Sequence, residues 1–335
     1  MNNTKIKIAL FVGGISSERD VSKSSGKAIY GAIKSLGYQC ILIDPAYGIN
    51  QPKEEEKFFD EKDYSEVKLD NLMKTINSDL LNDIDLVFLA LHGKLDEDGT
   101  IQSMLELRKI KYTGSGVLSS MMSMDKTISK TLFRVNGVNT ADWFCVAKDF
   151  NIEEVTKRIK EELGLPCVIK PNDQGSTVGL TIVKKDEELN EAIKLALNYS
   201  ELALIEKYIP GREMTVAVLD NESLPVLEII PKSGFYDYKS KYKSGMSEYI
   251  VPAEIPEDVF ANIQKQALMA FNSLRCKVYA RVDFRLNEEN IPYCLEVNTL
   301  PGMTATSLVP KMAKEVGISF EELIDKIIRI SFNGS

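Results

Sequence analysis

Two acids, a carboxamide and a guanidinium stand close together in ARVDFRLNEENIPYCLEVNTLPGMTATS, which runs from Ala280 to Ser307. The stretch reads as two strands joined by a polar turn. Side chains alternate faces along a strand, so Arg281 and Asp283 share one face of the first strand, and Glu296 and Asn298 share one face of its partner. Oxygen ligands of this kind suit Mg2+ ions that carry a nucleotide triphosphate, with Arg281 beside the reacting group. An exposed ladder of salt bridges would explain the three charged residues. It would explain neither Asn298 nor the Gly302-Met303-Thr304 turn that follows.

Four other segments carry possible chemistry. KPNDQGSTVGL, Lys170 to Leu180, follows an apolar run. Its glycines permit a tight turn, and its amides with the Ser176 and Thr177 hydroxyls could cradle phosphate oxygens. A plain hairpin with a polar tip fits the same residues, and no GK[ST] follows at Walker spacing. LALIEKYIPGRE, Leu202 to Glu213, is an apolar strand running into Glu206, Lys207, Tyr208 and Ile209. It is either an edge strand with a charged end or a platform for an adenine edge, with Glu213 reaching a ribose hydroxyl. The single histidine, His92, sits in LHGKLDEDGT at the carboxyl end of a strand-like run, where α/β sheets place ligands. Structural and ligand-binding roles are both open to it. GGISSERDVS, Gly13 to Ser22, is a glycine turn at a helix start without GxGxxG spacing. Glu18 there either complements the helix dipole or meets a substrate ammonium.

The elements that must position these residues follow from apolar periodicity. Strands are expected at Ile6–Val12, Tyr38–Ile43 and Asp85–Leu91, with a helix over Glu18–Leu36 closed by Gly37. This alternation predicts a parallel α/β unit over residues 1–123. The charge-dense stretch Gln51–Asp70 reads as a surface excursion or mobile loop. A helix over Met124–Asn136 has Asp125 at its N-cap. A second helix covers Ile152–Leu163. Strands at Pro166–Lys170, Gly179–Lys184 and Leu202–Glu206, with a helix at Glu187–Asn198, complete a unit over 124–212. The remainder, 213–335, is strand-rich, with helices near Glu257–Leu274 and Phe320–Ile330, the last opened by a Ser319/Glu322 capping box.

Composition bounds the partners. The chain has 335 residues and a formal charge of −8, which argues against nucleic acid or an anionic membrane as the main partner. Five cysteines, Cys40, Cys145, Cys167, Cys276 and Cys294, stand singly without metal or redox spacing. They fit reduced thiols in the cytosol. The apolar run at the N-terminus is too short for a signal peptide, and no window reaches the roughly 20 apolar residues of a membrane helix. A cytoplasmic protein is expected.

Taken in order, GGISSERDVS, HGKLDEDGT, the MDKTISK helix, KPNDQGSTVGL, LIEKYIPGRE, FYDYKSKY, ARVDF and LEVNTLPGMTATSLVP resemble the D-alanine–D-alanine ligase family of the ATP-grasp superfamily. The likeness runs nearly end to end. It implies an α/β fold, α+β in part, of three domains: 1–123 binding substrate, 124–212 holding the phosphate-covering loop, and 213–335 carrying the Mg2+ and oxyanion site. ATP would lie between two antiparallel sheets. Lys126 and Lys170 would hold phosphates, and Glu206, Lys207, Ile209 and Glu213 the adenosine. Asp283, Glu296 and Asn298 would ligate two Mg2+ ions, with Mn2+ a possible substitute. Glu18 would orient the ammonium of the first D-alanine, with His92 near its carboxylate. Arg281 and the Gly302 amide would stabilise an oxyanion. Ser307 and the Leu308 amide would take the second carboxylate. Lys241 and Tyr242 look like the ends of a mobile closing loop, with Tyr242, Ser176 and Glu18 hydrogen-bonded together. The family is typically homodimeric. Relatives that join D-alanine to D-lactate or D-serine, and a non-catalytic ATP-grasp protein, are the competing possibilities; Tyr242 favours an amine as second substrate. Leu95 and Asp96 stand where relatives often have small residues or glycine.

Overall fold

The protein is described here by a computed structural model that covers residues 6–232 and 246–334. An apolar run and a glycine pair open the chain: β1 (Lys7–Phe11) ends at the Gly13-Gly14 turn and leads to α1 (Arg19–Ser35). β2 (Gln39–Ile43) and β3 (Leu86–Leu89) flank β1 in a parallel sheet of order β2-β1-β3. Ile29 and Ile33 of α1 pack on the sheet with Ile324, Ile327 and Ile328 of the C-terminal helix. The first core therefore recruits the end of the chain. Tyr38 Oη donates to Asp325 Oδ1 at 2.6 Å across the same junction.

The stretch 51–70 is more ordered than its charge suggests. A short 3-10 turn over Glu55–Phe58 buries Phe58, and Phe59 packs on the first core. Asp63 pairs with Arg19 and with Lys23, at 2.9 and 2.8 Å. Two aromatic anchors and the Asp63 ion pairs tie this charge run to the first core and α1. Three short helices not expected from the sequence also lie in the first half of the chain: α2 (Leu69–Ile76), α3 (Thr100–Leu107) and α4 (Val117–Met124).

Next comes α5 (Lys126–Val135), whose first turn is capped as expected, the Asp125 carboxylate accepting from the Ile128 amide at 2.9 Å. A strand not foreseen, β4 (Trp143–Val146), precedes α6 (Ile152–Glu162). β5 (Cys167–Pro171), β6 (Thr181–Val183), α7 (Leu189–Leu197) and β7 (Ala203–Lys207) follow. The four strands form an antiparallel sheet of order β4-β7-β5-β6. Its core joins Ile169 and Ile205 to Ile159 of α6 and Ile193 of α7.

The third sheet holds β8 (Arg212–Leu219), β9 (Glu222–Ser223), β10 (Leu227–Pro231), β11 (Ser247–Ile250), β12 (Tyr279–Leu286) and β13 (Pro292–Asn298). Its main path is β11-β10-β8-β12-β13, with β9 beside β8. Helix α8 (Glu257–Ser273) covers one face through Ile263, Ala267 and Phe271. After β13 come α9 (Leu308–Glu315) and α10 (Phe320–Asn333), the latter opened by the Ser319/Glu322 capping box.

Candidate active site

On β12 the alternation is sharp. Val282, Phe284 and Leu286 are buried, while Arg281, Asp283 and Arg285 are partly exposed on the other face. On β13, Arg281 stands opposite Asn298 and Asp283 opposite Glu296. The register then shifts between Asp283 and Phe284, which pairs with Cys294. This bulge leaves Leu295 as an extra residue, so Leu295 and Glu296 both turn to the open face. Bulges beside a site commonly re-aim side chains in this way.

That face borders a cavity of about 540 Å³ between the two antiparallel sheets, ample for a nucleotide. Lys126, Lys170, Ser176, Glu206, Lys207, Ile209, Glu213, Arg281, Asp283, Glu296 and Leu308 all line it. Residues expected from five separate segments of sequence thus meet in one space.

The charges in it are matched to each other. Arg281 grips Asp283 side-on, Nε to Oδ1 at 2.9 Å and one terminal nitrogen to Oδ2 at 2.7 Å. The Thr215 hydroxyl of β8 donates to the same Oδ1 at 2.6 Å. Lys126, at the first turn of α5, donates to the Gln174 carbonyl at 2.6 Å and stands 3.4 Å from Glu296. Lys170 donates to Glu206 Oε1 at 2.6 Å, and Lys130 lies 3.0 Å from Oε2. Burial alone would raise the Glu206 carboxyl, but these two lysines hold it down to about 2. Burial also pulls the Lys130 ammonium below its ordinary value, against the pull of Glu206. A carboxylate held between two ammonium groups keeps the pair charged. Arg285 pins Glu213 at 3.0 Å and donates to the Ile209 and Gly211 carbonyls, so the strap after β7 is tied to β12.

Over the cavity, residues 174–178 form the turn between β5 and β6. Ser176 and Thr177 lie in succession at φ +53° and +58°, a conformation costly for residues with a Cβ and frequent at ligand clamps. Gly175 faces Glu18: a Cβ there would lie 3.6 Å from its Oε1, in ordinary contact. The covering turn therefore reaches the start of α1, where Glu18 is buried.

His92 is fully engaged. Its Nδ1 lies 2.9 Å from the Leu300 carbonyl, which can only accept, so Nδ1 carries the proton. Nε2 then accepts from the Ser25 hydroxyl at 3.1 Å, and Ser25 Oγ accepts from the Met303 amide at 3.3 Å. Burial holds the imidazole below its usual pKa, the nearby Glu18 opposing. The neutral ring ties α1 and the end of β3 to the turn that presents Gly302. Asn298 supports the same turn, its Oδ1 accepting from the Leu300 amide at 3.0 Å. Ser307, before α9, accepts from the Thr304 amide at 3.0 Å, and a Cβ on Gly302 would lie 3.3 Å from its hydroxyl. Glu18, His92, Asn298, Gly302 and Ser307 do not line the cavity. Lys241 and Tyr242, and with them the expected Tyr242–Ser176–Glu18 contact, lie outside the described residues.

Lys130 and Arg285 were not singled out from sequence. Both were within reach: Lys130 is four residues beyond Lys126 on one helix face, and Arg285 continues the alternation of Arg281 and Asp283.

Among the described residues no three His, Cys, Asp or Glu side chains cluster as a ready metal cage, and no helix is long and apolar enough to cross a membrane. The donor set still fits a hard cation, with two carboxylates in register and a carboxamide on one face.

Two antiparallel sheets closing on a cavity, with Lys170 and Glu206 on one and Arg281, Asp283 and Glu296 on the other, define a ligase of the ATP-grasp class. The chain belongs to the D-alanine–D-alanine ligase family: the profile for the D-ala D-ala ligase N-terminus matches residues 7–115, and that for the C-terminus residues 132–329. It is 41% identical over 333 residues to the D-alanine–D-alanine ligase of Pelotomaculum thermopropionicum, covering 97% of this chain and 96% of that one. The Halalkalibacterium halodurans enzyme of the same name is 43% identical over 334 residues, covering 97% and 99%. The Bacillus anthracis D-alanine–D-alanine ligase solved with ATP is 35% identical, covers 98% of both chains and superposes with a TM-score of 0.79. The VanG D-Ala:D-Ser ligase of Enterococcus faecalis is 31% identical, covers 97% and 99%, and gives 0.81.

Proposed function

We propose that the chain joins two D-alanine molecules into D-alanyl-D-alanine, consuming ATP in the presence of Mg2+ and passing through D-alanyl phosphate, as a step toward peptidoglycan. The observation that carries this is the face shared by Arg281, Asp283 and Glu296, which opens onto a cavity that Lys170 enters from the opposite sheet and Lys126 from the first turn of α5. The protein works in the cytoplasm as a homodimer, through units spanning 1–123, 124–212 and 213–335.

Asp283, Glu296 and Asn298 would hold two Mg2+ ions, which when bound neutralise charge on the phosphoryl oxygens. Glu206, Lys207, Ile209 and Glu213 seat the adenosine. Lys126 and Lys170 redirect from their present carboxylate and carbonyl partners to the phosphates, and the 174–178 turn keeps water out. Glu18 orients the ammonium of the first D-alanine, and His92 bounds that subsite by fixing the Leu300–Met303 turn. The first carboxylate attacks the γ-phosphorus and ADP leaves. The neutral amine of the second D-alanine, its carboxylate at Ser307 and the Leu308 amide, attacks the acyl carbon. Arg281 and the Gly302 amide meet the developing oxyanion, and phosphate leaves with the transferred carboxylate oxygen and the proton that the amine gives up. Lys241 and Tyr242 close the site.

A fold shared with a D-Ala:D-Ser ligase does not by itself select the second substrate. D-alanine as second substrate is supported by curated relatives 41–43% identical over nearly the whole chain that are D-alanine–D-alanine ligases. D-alanine labelled with 18O in its carboxylate tests the intermediate: one label in each phosphate released supports D-alanyl phosphate, and unlabelled phosphate beside labelled dipeptide refutes it.

A further inference from the structure

Lys130 is a fully buried ammonium that does not line the cavity, and the chemistry above makes no use of it. Its surroundings are built. Nζ donates to the Thr140 hydroxyl at 2.6 Å, and that hydroxyl donates to the Cys294 carbonyl of β13 at 2.8 Å. The Trp143 ring centroid lies 5.2 Å away, and Trp143 is the cross-strand neighbour of Glu206. Lys130 also stands 3.0 Å from Glu206 Oε2, an ionic contact without hydrogen-bond geometry, while Lys170 holds Oε1 from the cavity side at 2.6 Å.

One carboxylate thus lies between two cations, of which only Lys170 can see the cavity. Such an arrangement carries a surplus positive charge that an arriving phosphate can take up. Releasing Lys170 from Glu206 is tolerable only if the buried carboxylate keeps another partner, because a stranded buried charge is strongly unfavourable. We propose that Lys130 is a positioning residue for ATP: by holding Glu206 from the far side, it frees Lys170 to turn from that carboxylate to the phosphate oxygens. This rests on the ATP reading of the cavity. Thr140 and Trp143 fix where the Lys130 head sits, so the handover follows one geometry.

The test is titration of ATP, without amino acids, into the full-length wild-type chain, K130M, E206Q and the double variant, followed by calorimetry and by the fluorescence of the single tryptophan, Trp143. Wild type is expected to bind ATP with a change in Trp143 emission as Lys130 becomes the one lysine left against Glu206. K130M is expected to bind about 10- to 100-fold more weakly, the scale of leaving a buried polar group without a partner, and to lose the emission change. In the E206Q background K130M is expected to add no further loss, which a merely structural lysine would not mimic. T140V keeps the cation and removes only its anchor, so it serves if K130M folds poorly: it is expected to weaken ATP binding with Glu206 present and not with E206Q. A folded K130M that binds ATP like wild type, or a loss that adds in full to E206Q, overturns the proposal. Failure of the wild-type chain to bind ATP overturns the cavity reading beneath it.

Discussion

Arg281 and Asp283, two residues apart on β12, are bound to each other in a side-on, two-point ion pair on the face that also carries Glu296 and Asn298. The side chains are 14% and 20% exposed, so the pair is neither screened like a surface bridge nor sealed in a core. A guanidinium parked on a carboxylate keeps both groups folded toward the cavity when no substrate neutralises them. Each is then held within reach of its working position, at a cost only of exchanging one charged partner for another.

Replacing Arg281 with Met is expected to lower kcat by about 10²–10³-fold, the usual scale for an oxyanion donor. Asp283 retains the Thr215 hydroxyl, so the melting temperature is expected to change little. Steady-state kinetics with a thermal melt on the same sample checks both halves. An unchanged kcat would remove Arg281 from the chemistry.

Glu296→Gln is expected to raise the Mg2+ concentration for half-maximal activity by about tenfold or more, since even outer partners of metal ligands are worth 10–100-fold. Mn2+ binding followed by paramagnetic resonance, with a non-hydrolysable ATP analogue present, gives the same answer without turnover. Equal affinities in the two proteins would exclude Glu296 as a ligand.

Glu97 sets a pH dependence of stability. Burial, reinforced by the charge of Glu18, pushes its carboxyl up to about 8. A raised acid binds more protons folded than unfolded, so its contribution is complete below the ordinary glutamate value and is lost as pH climbs through about 8. Glu206, held down to about 2, works oppositely, losing its contribution only as pH falls below the ordinary range. Glu97→Gln is therefore expected to gain stability relative to wild type as pH rises from 5 to 8. Urea melts at several pH values measure the difference, and a gap independent of pH would contradict the assignment.

Gly211 is a backbone constraint at the strap after β7. It has φ +123°, and a Cβ there would fall 2.0 Å from the Leu286 carbonyl. Gly211→Ala is expected to push the strap from β12, break the 2.6 Å bond from Arg285 to the Gly211 carbonyl and weaken ATP binding together with stability. Retention of wild-type affinity would show that the strap does not position the nucleotide.

What the sequence made legible were the features whose physics is local. Alternation on β12 and β13 placed four polar residues on one face, and the register sets Arg281 against Asn298 and Asp283 against Glu296. The Asp125 and Ser319 caps are short-range hydrogen-bond motifs and stand as expected. The bulge at Leu295 depends on pairing across strands and left no local signal. Likewise, nothing in the run 51–63 announces that Phe58 and Asp63 find partners on the first sheet and α1, because those partners are distant in sequence. His92 shows the same limit: its position was evident, but its bond to the Leu300 carbonyl spans more than two hundred residues.

The most direct measurement is to incubate the purified chain with ATP, Mg2+ and D-alanine alone, quantify phosphate and identify the products by mass, then repeat with D-serine or D-lactate added. The expected result is D-alanyl-D-alanine from D-alanine alone, one dipeptide for each phosphate. Turnover only with a mixed pair, or phosphate release without dipeptide, would contradict it.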